Sequence, residues 1–292
     1  MSSKRTILIT GCSDGTLGSA LALQFHKAGW RVFASARTLS KLTLVRDAGI
    51  ETVLLDTLSD ESIQNCVAQV REPTGGSLDA LLNNAGAAYS MPLMDVDVAK
   101  ARELFDLNVW SILNVTRAFL PLLMKSTHEC GALLVNHTSG GSVTAGTVPF
   151  SGAYSASKAA AASLTETLRL ELEPFGVRVV NLMTGSVRSR FFENAPVPVL
   201  PSTSLYNVAK DTVEEFMSGA ETAKNATDPE EWASQVVGDL SKLNPPHWVW
   251  RGKFSTIVRL ASHLPVGVLD SSMKKMVGLD VVQREYKRHE AA

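Results

Sequence analysis

A tyrosine and a lysine four residues apart give the sequence its clearest chemical signal. Tyr154 and Lys158 stand near the start of an alanine-rich stretch that predicts a long helix, so both side chains should lie on one helix face. A tyrosine hydroxyl ordinarily has a pKa near ~10, too high for efficient acid–base chemistry at neutral pH. A nearby ammonium would stabilise the phenolate and lower that pKa. The pair therefore predicts a hydroxyl that exchanges a proton with a substrate, although the same spacing also occurs by coincidence on helix faces.

A glycine-rich turn at residues 10–18 predicts a site for a phosphate-bearing cofactor. The turn follows a short apolar run and precedes a helix-like segment, so it joins a strand to a helix. Glycines let the backbone approach a diphosphate at a helix N-terminus, where free N–H groups attract anions. The candidate residues in the turn are Gly11, Ser13, Gly15, Leu17 and Gly18. An ordinary strand-to-helix turn is the alternative interpretation.

The end of the second predicted strand bears on the choice of cofactor. A site for NAD usually carries an acidic residue here to hold the ribose hydroxyls, whereas this chain has Ala36 and then Arg37. A guanidinium can instead bind a 2′-phosphate through two hydrogen bonds. Arg37 therefore favours NADP(H), and an arginine on a solvated turn is the competing interpretation.

Alternating strand-like and helix-like segments predict the scaffold that positions these residues. The predicted strands span residues 6–10, 32–35, 52–55, 78–82, 132–137 and 177–182, and the predicted helices span 19–28, 39–48, 62–71, 99–105, 109–125, 156–172, 208–220 and 229–241. This alternation predicts an α/β fold, a single doubly wound Rossmann-type domain whose parallel sheet carries helices on both faces. Residues 5–190 would form the nucleotide-binding and catalytic core, and 184–292 the substrate loop or lid, covering helices and tail.

The composition limits the other classes of protein. Lys and Arg number 28 against 29 Asp and Glu, a net charge of −1, which argues against a general nucleic-acid-binding protein. Three scattered cysteines do not form a disulfide framework and predict a reducing, cytoplasmic compartment. The six histidines have no metal-ligand spacing, so we expect no metal site. No apolar run approaches the ~20 residues of a membrane-spanning helix.

Further motifs carry a family resemblance. They are Asn83-Asn84-Ala85-Gly86, Asn108, Ser139 and Tyr154-Ser155-Ala156-Ser157-Lys158. With the glycine-rich turn, and in this order, they resemble the short-chain dehydrogenase/reductase superfamily over about residues 5–190. The resemblance implies that Tyr154 donates and accepts the proton, while Lys158 binds the nicotinamide ribose and lowers the pKa of the tyrosine. It also implies that Ser139 orients a substrate carbonyl and that Asn108 holds a water of the proton relay.

The same resemblance implies cofactor contacts outside the glycine-rich turn. They are Asp56 at the adenine, Asn84 and Gly86 along the adenosine, the backbone of Val187 at the nicotinamide carboxamide, and Ser189, besides Tyr154 and Lys158. Together with Arg37, these residues make NADP(H) the expected cofactor.

Three departures from the family pattern leave details open. The turn reads Gly-x-x-x-Gly-x-x-Gly, one residue longer than usual, so the amides that meet the phosphates are not fixed by the motif. Ser139 precedes Tyr154 by fifteen residues instead of thirteen, so Ser142 is an alternative catalytic serine, although the strand context favours Ser139. The usual Pro-Gly after the sixth strand is Thr184-Gly185.

The C-terminal third narrows the resemblance. Residues 201–207 and 250–259 resemble the fungal NADPH-dependent 1-acyldihydroxyacetone-phosphate reductases and their relatives in secondary metabolism. That resemblance implies reduction of a ketone on a small to medium, lipid-like or secondary-metabolite substrate. Arg188 and Arg190 are candidates to meet a phosphate on such a substrate. A catalytically silent NADPH-binding sensor or scaffold is the alternative, although it would have no chemical need for the complete Asn/Ser/Tyr/Lys set.

Three further expectations concern partners and one histidine. The aromatic and apolar residues of 248–264, interleaved with basic ones, predict either a peripheral membrane or lipid-droplet contact or a lid over the substrate cleft. Relatives are often dimers or tetramers, which implies a homodimer or homotetramer. His137 lies on a strand beside Ser139, so we expect it to be a packed or hydrogen-bonded residue and not a second acid–base group.

Overall fold

Seven parallel strands form one sheet in the computed structural model, which describes residues 4–129 and 131–291. The strands are β1 (Thr6–Ile9), β2 (Arg31–Ala36), β3 (Glu51–Leu54), β4 (Ala80–Asn83), β5 (Ala132–His137), β6 (Val177–Thr184) and β7 (Trp248–Arg251). Their spatial order is β3-β2-β1-β4-β5-β6-β7. The order reverses between β1 and β4, so a crevice for ligands opens at the carboxyl ends of these two strands. The doubly wound α/β fold expected from the sequence is confirmed.

Helices cover both faces of the sheet. They are α1 (Leu17–Lys27), α2 (Thr43–Asp47), α3 (Asp60–Arg71), α4 (Val98–Phe105), α5 (Ser111–Leu123), α6 (Gly152–Leu172), α7 (Lys210–Met217), α8 (Ala220–Lys224), α9 (Pro229–Leu240), α10 (Ser255–Ala261), α11 (Asp270–Met276) and α12 (Leu279–Glu290). Helices α1 and α9 pack in the apolar core on one face, and α3 and α5 pack in the core on the other. Each helix that the structure describes is too short or too polar to cross a bilayer.

The two cores follow from the alternation of side chains along buried strands. Successive residues of a strand point to opposite faces, so Ile7 and Ile9 join Trp232 in one core while Leu8 joins Phe119 in the other. All five side chains are fully buried. Burial of each such side chain stabilises the fold by roughly 1.5–3 kcal/mol, so the strands cannot shift register without losing both cores.

The edge strand β7 was missing from the sequence-based expectation. Residues 248–251 read as part of an amphipathic tail, yet they pair in parallel with β6, with Val249 opposite Leu182. Only Val249 is fully buried in this strand, because an edge strand has a neighbour on one side alone. Its aromatic side chains are partly covered instead, and the indole of Trp248 donates a hydrogen bond to Glu166 on α6. The first four residues of the expected membrane-contact segment are therefore part of the sheet.

The predicted helix over 39–48 is divided, because a tertiary contact sets its start. A short 3₁₀ turn spans Leu39–Lys41, and α2 begins only at Thr43. The carboxylate of Asp14, in the glycine-rich turn, accepts hydrogen bonds from the backbone N–H groups of Thr43 and Leu44 at 3.1 and 3.0 Å. The N-terminus of α2 is thus capped by a residue about thirty positions earlier in the chain. The sequence around α2 alone therefore does not predict where this helix begins.

A third apolar cluster joins the C-terminal helices to the segment before α6. Phe150, Leu200, Val213, Met217 and Val277 are its buried members. The cluster links α7 and the end of α11 to Phe150, two residues before α6 begins. The cluster thus packs part of the C-terminal third against the segment before α6, and its expected role as a cover of the substrate site stays a prediction.

Candidate active site

The proposed catalytic side chains meet at the carboxyl end of β5. Helix α6 begins at Gly152, so Tyr154 and Lys158 occupy its first turns. The ammonium of Lys158 donates a hydrogen bond to the carbonyl oxygen of His137, the last residue of β5, at 2.9 Å. The side chain of Ser139, two residues further on, interacts with the Tyr154 hydroxyl. One strand end therefore positions the serine, the tyrosine and the lysine together.

Burial governs the proton affinities of this group. The surrounding protein raises the pKa of Tyr154 to about 12, and the interaction with Ser139 offsets only part of this rise. Burial also lowers the pKa of Lys158 to about 8, because an ammonium loses hydration in the interior. Burial outweighs the contact that favours the phenolate, so the pKa of Tyr154 is raised overall and the tyrosine is a protonated donor at neutral pH. The lowering of this pKa by Lys158 stays a prediction.

Asn108 lies in an irregular turn of helix between α4 and α5. Residues Asp106–Trp110 form a π-helical turn, a feature frequent at functional sites. The buried Asn108 amide accepts a hydrogen bond from the N–H of Ala87 at 2.9 Å and donates to the Ala87 carbonyl and to Ser157 Oγ, both at 3.0 Å. Its side chain thus joins the segment after β4 to α6. The sequence analysis predicted that Asn108 holds a water of the proton relay, and that role stays a prediction.

Gly86 lies close to Asn108 and Lys158, and its expected contact along the adenosine stays a prediction. A Cβ on Gly86 would stand 3.0 Å from Asn108 Oδ1 and 3.4 Å from Lys158 Nζ. A side chain at this position would crowd the amide and the ammonium. This proximity follows from the sheet, because the residues after β4 run toward the neighbouring end of β5, where Lys158 is held.

The two candidate serines have different partners. Ser139 Oγ accepts a hydrogen bond from the N–H of Gly141 at 3.1 Å and also interacts with Tyr154. Ser142 Oγ accepts from the backbone N–H of Ser139 at 3.2 Å. The longer loop before α6 contains the short 3₁₀ turns Gly140–Ser142 and Thr144–Gly146. Ser142 therefore supports the backbone of Ser139, and the geometry favours Ser139 as the serine beside the tyrosine.

The longer glycine-rich turn accommodates Thr16 as the N-cap of α1. Thr16 Oγ1 hydrogen-bonds to the carbonyls of Ser13 and Gly11 at 2.6 and 3.0 Å, and it accepts from the N–H of Ser19 at 3.3 Å. A Cβ on Gly18 would lie 2.4 Å from the Gly11 carbonyl oxygen, so the turn closes only with glycine there. The turn is a compact cradle before the positive end of α1, which fits the diphosphate of a dinucleotide.

Asn84 and His137 form a hydrogen-bonded chain beneath the turn. The Asn84 amide donates to the carbonyls of Thr10 and Gly11 at 2.8 and 3.1 Å, so its oxygen accepts from His137 Nδ1 at 2.9 Å. The remaining nitrogen of His137 then accepts from Thr184 Oγ1 at 2.7 Å. Burial lowers the pKa of His137 to about 3, so the ring is neutral. His137 is the hydrogen-bonded residue that the sequence predicted. The Asn84 side chain binds protein groups, and the expected contact of this residue along the adenosine stays a prediction.

Arg37 and Asp56 occupy the part of the crevice beyond β1. Arg37 directly follows β2 and is exposed, so its guanidinium is available to a ligand at this edge. Asp56 follows β3 and is half-buried, and its Oδ1 accepts a hydrogen bond from the N–H of Leu58 at 3.0 Å. These two residues stand together at neighbouring strand ends, as the parallel sheet requires.

The loop after β6 lies over the site. Ser186 and Arg188 make the backbone hydrogen bonds to Thr227, so the N–H and C=O of Val187 point to the opposite side of the chain. Ser189 follows, half-buried. The ring of Phe191 packs edge-on against Tyr154, with 5.7 Å between centroids. This loop therefore covers the tyrosine.

Arg188 and Arg190, both on this loop, contact different parts of the protein. The Arg188 guanidinium forms an ion pair with Asp228 at 2.6 Å, at the N-terminus of α9. The Arg190 side chain lies on Gly15 of the glycine-rich turn. The sequence treated both as candidates for a substrate phosphate, but Arg188 is held by α9 and Arg190 is on the cofactor side.

Metal ligands and disulfides play no part in what the structure describes. Within residues 4–129 and 131–291, no group of three or more His, Cys, Asp or Glu side chains is placed to hold a metal ion. Cys12 and Cys66 are buried free thiols, and burial raises the pKa of each to about 12. Cys130 lies outside the described residues.

Comparisons with known proteins agree with this fold. A family model described as short chain dehydrogenase matches residues 5–197. A short-chain dehydrogenase/reductase of Pestalotiopsis microspora is 44% identical over 290 residues, 98% of this chain and 99% of that protein. The NADPH-dependent 1-acyldihydroxyacetone phosphate reductase of Schizosaccharomyces pombe is 34% identical over 96% of each chain. The crystal structure of a short-chain dehydrogenase from Streptomyces avermitilis has a TM-score of 0.76 at 26% identity, over 97% of this chain and 98% of that one.

Proposed function

Because the chain belongs to the short-chain dehydrogenase/reductase family, we propose that it reduces a ketone to a secondary alcohol with NADPH. Members of this family are oxidoreductases that use NAD or NADP, and the chain is an enzyme of this class. The observation that carries the finer proposal is the cluster of Ser139, protonated Tyr154 and Lys158 at the end of β5, beneath a covering loop.

The chemistry assigned to the chain is positioning and proton transfer. The reduced nicotinamide supplies a hydride when bound. Ser139 and Tyr154 donate hydrogen bonds to the substrate carbonyl oxygen, where negative charge develops and such donors act most strongly. The raised pKa of Tyr154 keeps its proton on the hydroxyl until the oxygen takes it. The ammonium of Lys158, one helical turn away, then stabilises the phenolate left behind.

The residues present fit NADPH. The turn from Gly11 to Gly18 and the N-terminus of α1 would hold the diphosphate, and the exposed Arg37 would hold the 2′-phosphate. Asp56 would meet the adenine, and the free backbone side of Val187, with Ser189 beside it, would meet the nicotinamide half. The relative from Schizosaccharomyces pombe is described as NADPH-dependent, which supports this choice.

The cofactor assignment predicts a selective loss in Arg37→Gln. The variant should bind NADPH about tenfold more weakly, because one charge-assisted contact to the 2′-phosphate disappears. Its affinity for NADH, which lacks that phosphate, should stay within a factor of two. Fluorescence titration of both cofactors measures this, with exposed Arg46→Gln as the matched control. Equal weakening of both cofactors would contradict the assignment.

For the substrate, we propose a ketone on a lipid-like or secondary-metabolite molecule. The apolar cluster around Phe150 and Leu200 and the ring of Phe191 support an apolar neighbourhood near Tyr154. The 1-acyldihydroxyacetone phosphate reductase among the relatives acts on a ketone of this kind. Oxidation of NADPH with a panel of acyl, polyketide-like and cyclic ketones identifies the class.

Tyr154→Phe tests the reaction itself. The turnover number of the variant should fall by more than about a thousandfold. Phenylalanine has no hydroxyl, so it can neither donate the proton nor hydrogen-bond to the substrate carbonyl oxygen. NADPH affinity should stay nearly unchanged, because the phenyl ring keeps its packing against Phe191. Undiminished turnover would overturn the mechanism. Tight NADPH binding by the wild-type protein, with no ketone reduced, would favour a cofactor-binding sensor or scaffold instead.

We extend the proposal to assembly and location. Exposed Val98 and Trp110, and Leu170 on α6, support a homodimer or homotetramer built on these helices. Exposed Ile257 and Leu260 on α10 support a peripheral lipid contact of a cytoplasmic protein. Analytical ultracentrifugation and vesicle sedimentation measure the two properties directly.

A further inference from the structure

We infer that Arg190 is a cationic clamp on the cofactor diphosphate, and that it ties the loop after β6 to the glycine-rich turn. The inference rests on the proposed function, since it concerns the dinucleotide of the same site. It assigns a binding role to a side chain that the sequence had offered only as a contact for a substrate phosphate.

The contact between Arg190 and Gly15 is close and specific. The backbone N–H of Arg190 donates a hydrogen bond to the Gly15 carbonyl at 3.2 Å. A Cβ on Gly15 would lie 2.7 Å from Arg190 Cδ and 3.1 Å from its Cγ. The stem of the arginine therefore lies directly on the glycine, whose φ of +77° is itself a conformation that glycine favours. Gly15 thus makes room for Arg190.

Two sources of positive charge meet at this contact, while the carboxylate of Asp14 in the same turn is bound by the N-terminus of α2. The N-terminus of α1 carries the positive end of an eleven-residue helix, and its first turn contains no acidic residue. Arg190 brings a second positive charge to the same turn. Its partner is Glu193, with Nε 3.2 Å from Oε2, and the two side chains are 60% and 69% exposed. Exposed ion pairs of this kind are weak, so a diphosphate with two negative charges can replace the carboxylate.

Arg188, on the same loop, forms an ion pair within the protein and serves as a comparison for Arg190. It stands two residues earlier, and its guanidinium pairs with Asp228, whose carboxylate also caps α9 through the N–H groups of Glu230 and Glu231. That pair turns Arg188 away from the turn. The comparison gives a matched control of the same residue type, loop and exposure class.

The clamp has a consequence for the catalytic tyrosine. Arg190 is adjacent to Phe191, whose ring packs on Tyr154. A diphosphate that holds Arg190 on Gly15 therefore also holds Phe191 over the tyrosine, so cofactor binding orders the cover of the substrate cleft. Loss of the arginine should weaken cofactor binding and leave this loop more open to a protease.

The experiment is a fluorescence titration of NADPH and NADH with the full chain and three variants. Arg190→Gln should weaken both cofactors by the same factor, about tenfold, because the diphosphate is common to both. Arg188→Gln should bind both as the wild type does. Glu193→Gln should bind both about twofold more tightly, since it removes the competing carboxylate. The loss in Arg190→Gln should shrink at 1 M salt, where screening is strong.

Each result decides the inference. Wild-type affinity in Arg190→Gln, a loss limited to NADPH, or an equal loss in Arg188→Gln would overturn the clamp. Urea unfolding of Arg190→Gln should match the wild type, because the side chain is exposed, and a large loss of stability would also count against the clamp. If the wild type binds neither cofactor, the proposed function fails and the clamp fails with it. If it binds both but reduces no ketone, the titrations still test the clamp alone.

Discussion

Replacement of Lys158 by methionine should stabilise the fold while it removes a catalytic group. Lys158 is 5% exposed, and burial lowers its pKa from 10.5 to about 8. That difference corresponds to about 3 kcal/mol of unfavourable free energy for holding the ammonium in the folded protein. Methionine has a similar shape and no charge, but it leaves the His137 carbonyl without its 2.9 Å hydrogen bond, a loss of about 1 kcal/mol. The net gain at pH 7 should be about 2 kcal/mol.

The pH dependence makes this prediction specific. Between pH 8 and 10.5 the unfolded wild type still binds the Lys158 proton and the folded protein does not, so wild-type stability rises with pH in that window. The advantage of Lys158→Met should therefore fall by about 1.4 kcal/mol per pH unit above pH 8 and reverse at about pH 9.5. Up to pH 10 Tyr154 stays protonated in the folded state of both proteins, because burial raises its pKa to about 12, so its contribution cancels in the difference.

Urea unfolding followed by tryptophan fluorescence at pH 7, 8.5 and 10 measures the effect. Lys100→Met, at an exposed position on α4, is the control and should change stability by less than about 0.5 kcal/mol at every pH. A variant less stable than the wild type at pH 7 would refute the reasoning. So would a difference that stays constant from pH 8 to 10, because burial of a charge would then not be its cause.

Two further predictions concern buried contacts. His137→Leu should lower the free energy of unfolding by about 2–4 kcal/mol in urea, because it leaves the half-buried Asn84 oxygen and the buried Thr184 hydroxyl unpaired. Thr184→Val should lower it less, because it removes only one of the two hydrogen bonds. Equal losses would contradict the hydrogen-bonded chain. Gly131→Ala should lower the melting temperature strongly, since its Cβ would stand 2.3 Å from the Gly176 carbonyl oxygen. Gly29→Ala has a similar positive φ but nothing within 4 Å, so its loss should be limited to about 1–2 kcal/mol.

Local patterns were sufficient for the scaffold. The strands β1, β2, β5 and β6 and the long helix α6 fall within a few residues of their predicted positions, because buried parallel strands need continuous apolar runs. The order of motifs along the chain also places Ser139, Tyr154 and Lys158 at one strand end. Strand β7 was not predicted, because an edge strand of four residues shows little periodicity and because its pairing with β6 depends on the whole chain.

The sequence by itself was sufficient to predict the fold class, the family and the position of Tyr154 and Lys158 on one helix, since these follow from the order of motifs and from spacing along the chain. Only the tertiary structure decided where charges and hydrogen bonds go. It placed Gly86 at Lys158, engaged the Asn84 amide with protein groups, raised the pKa of Tyr154, and set Arg190 on Gly15. These outcomes depend on burial and on contacts between residues far apart in the chain. Neither can be read from spacing, because both arise only when the strand ends come together.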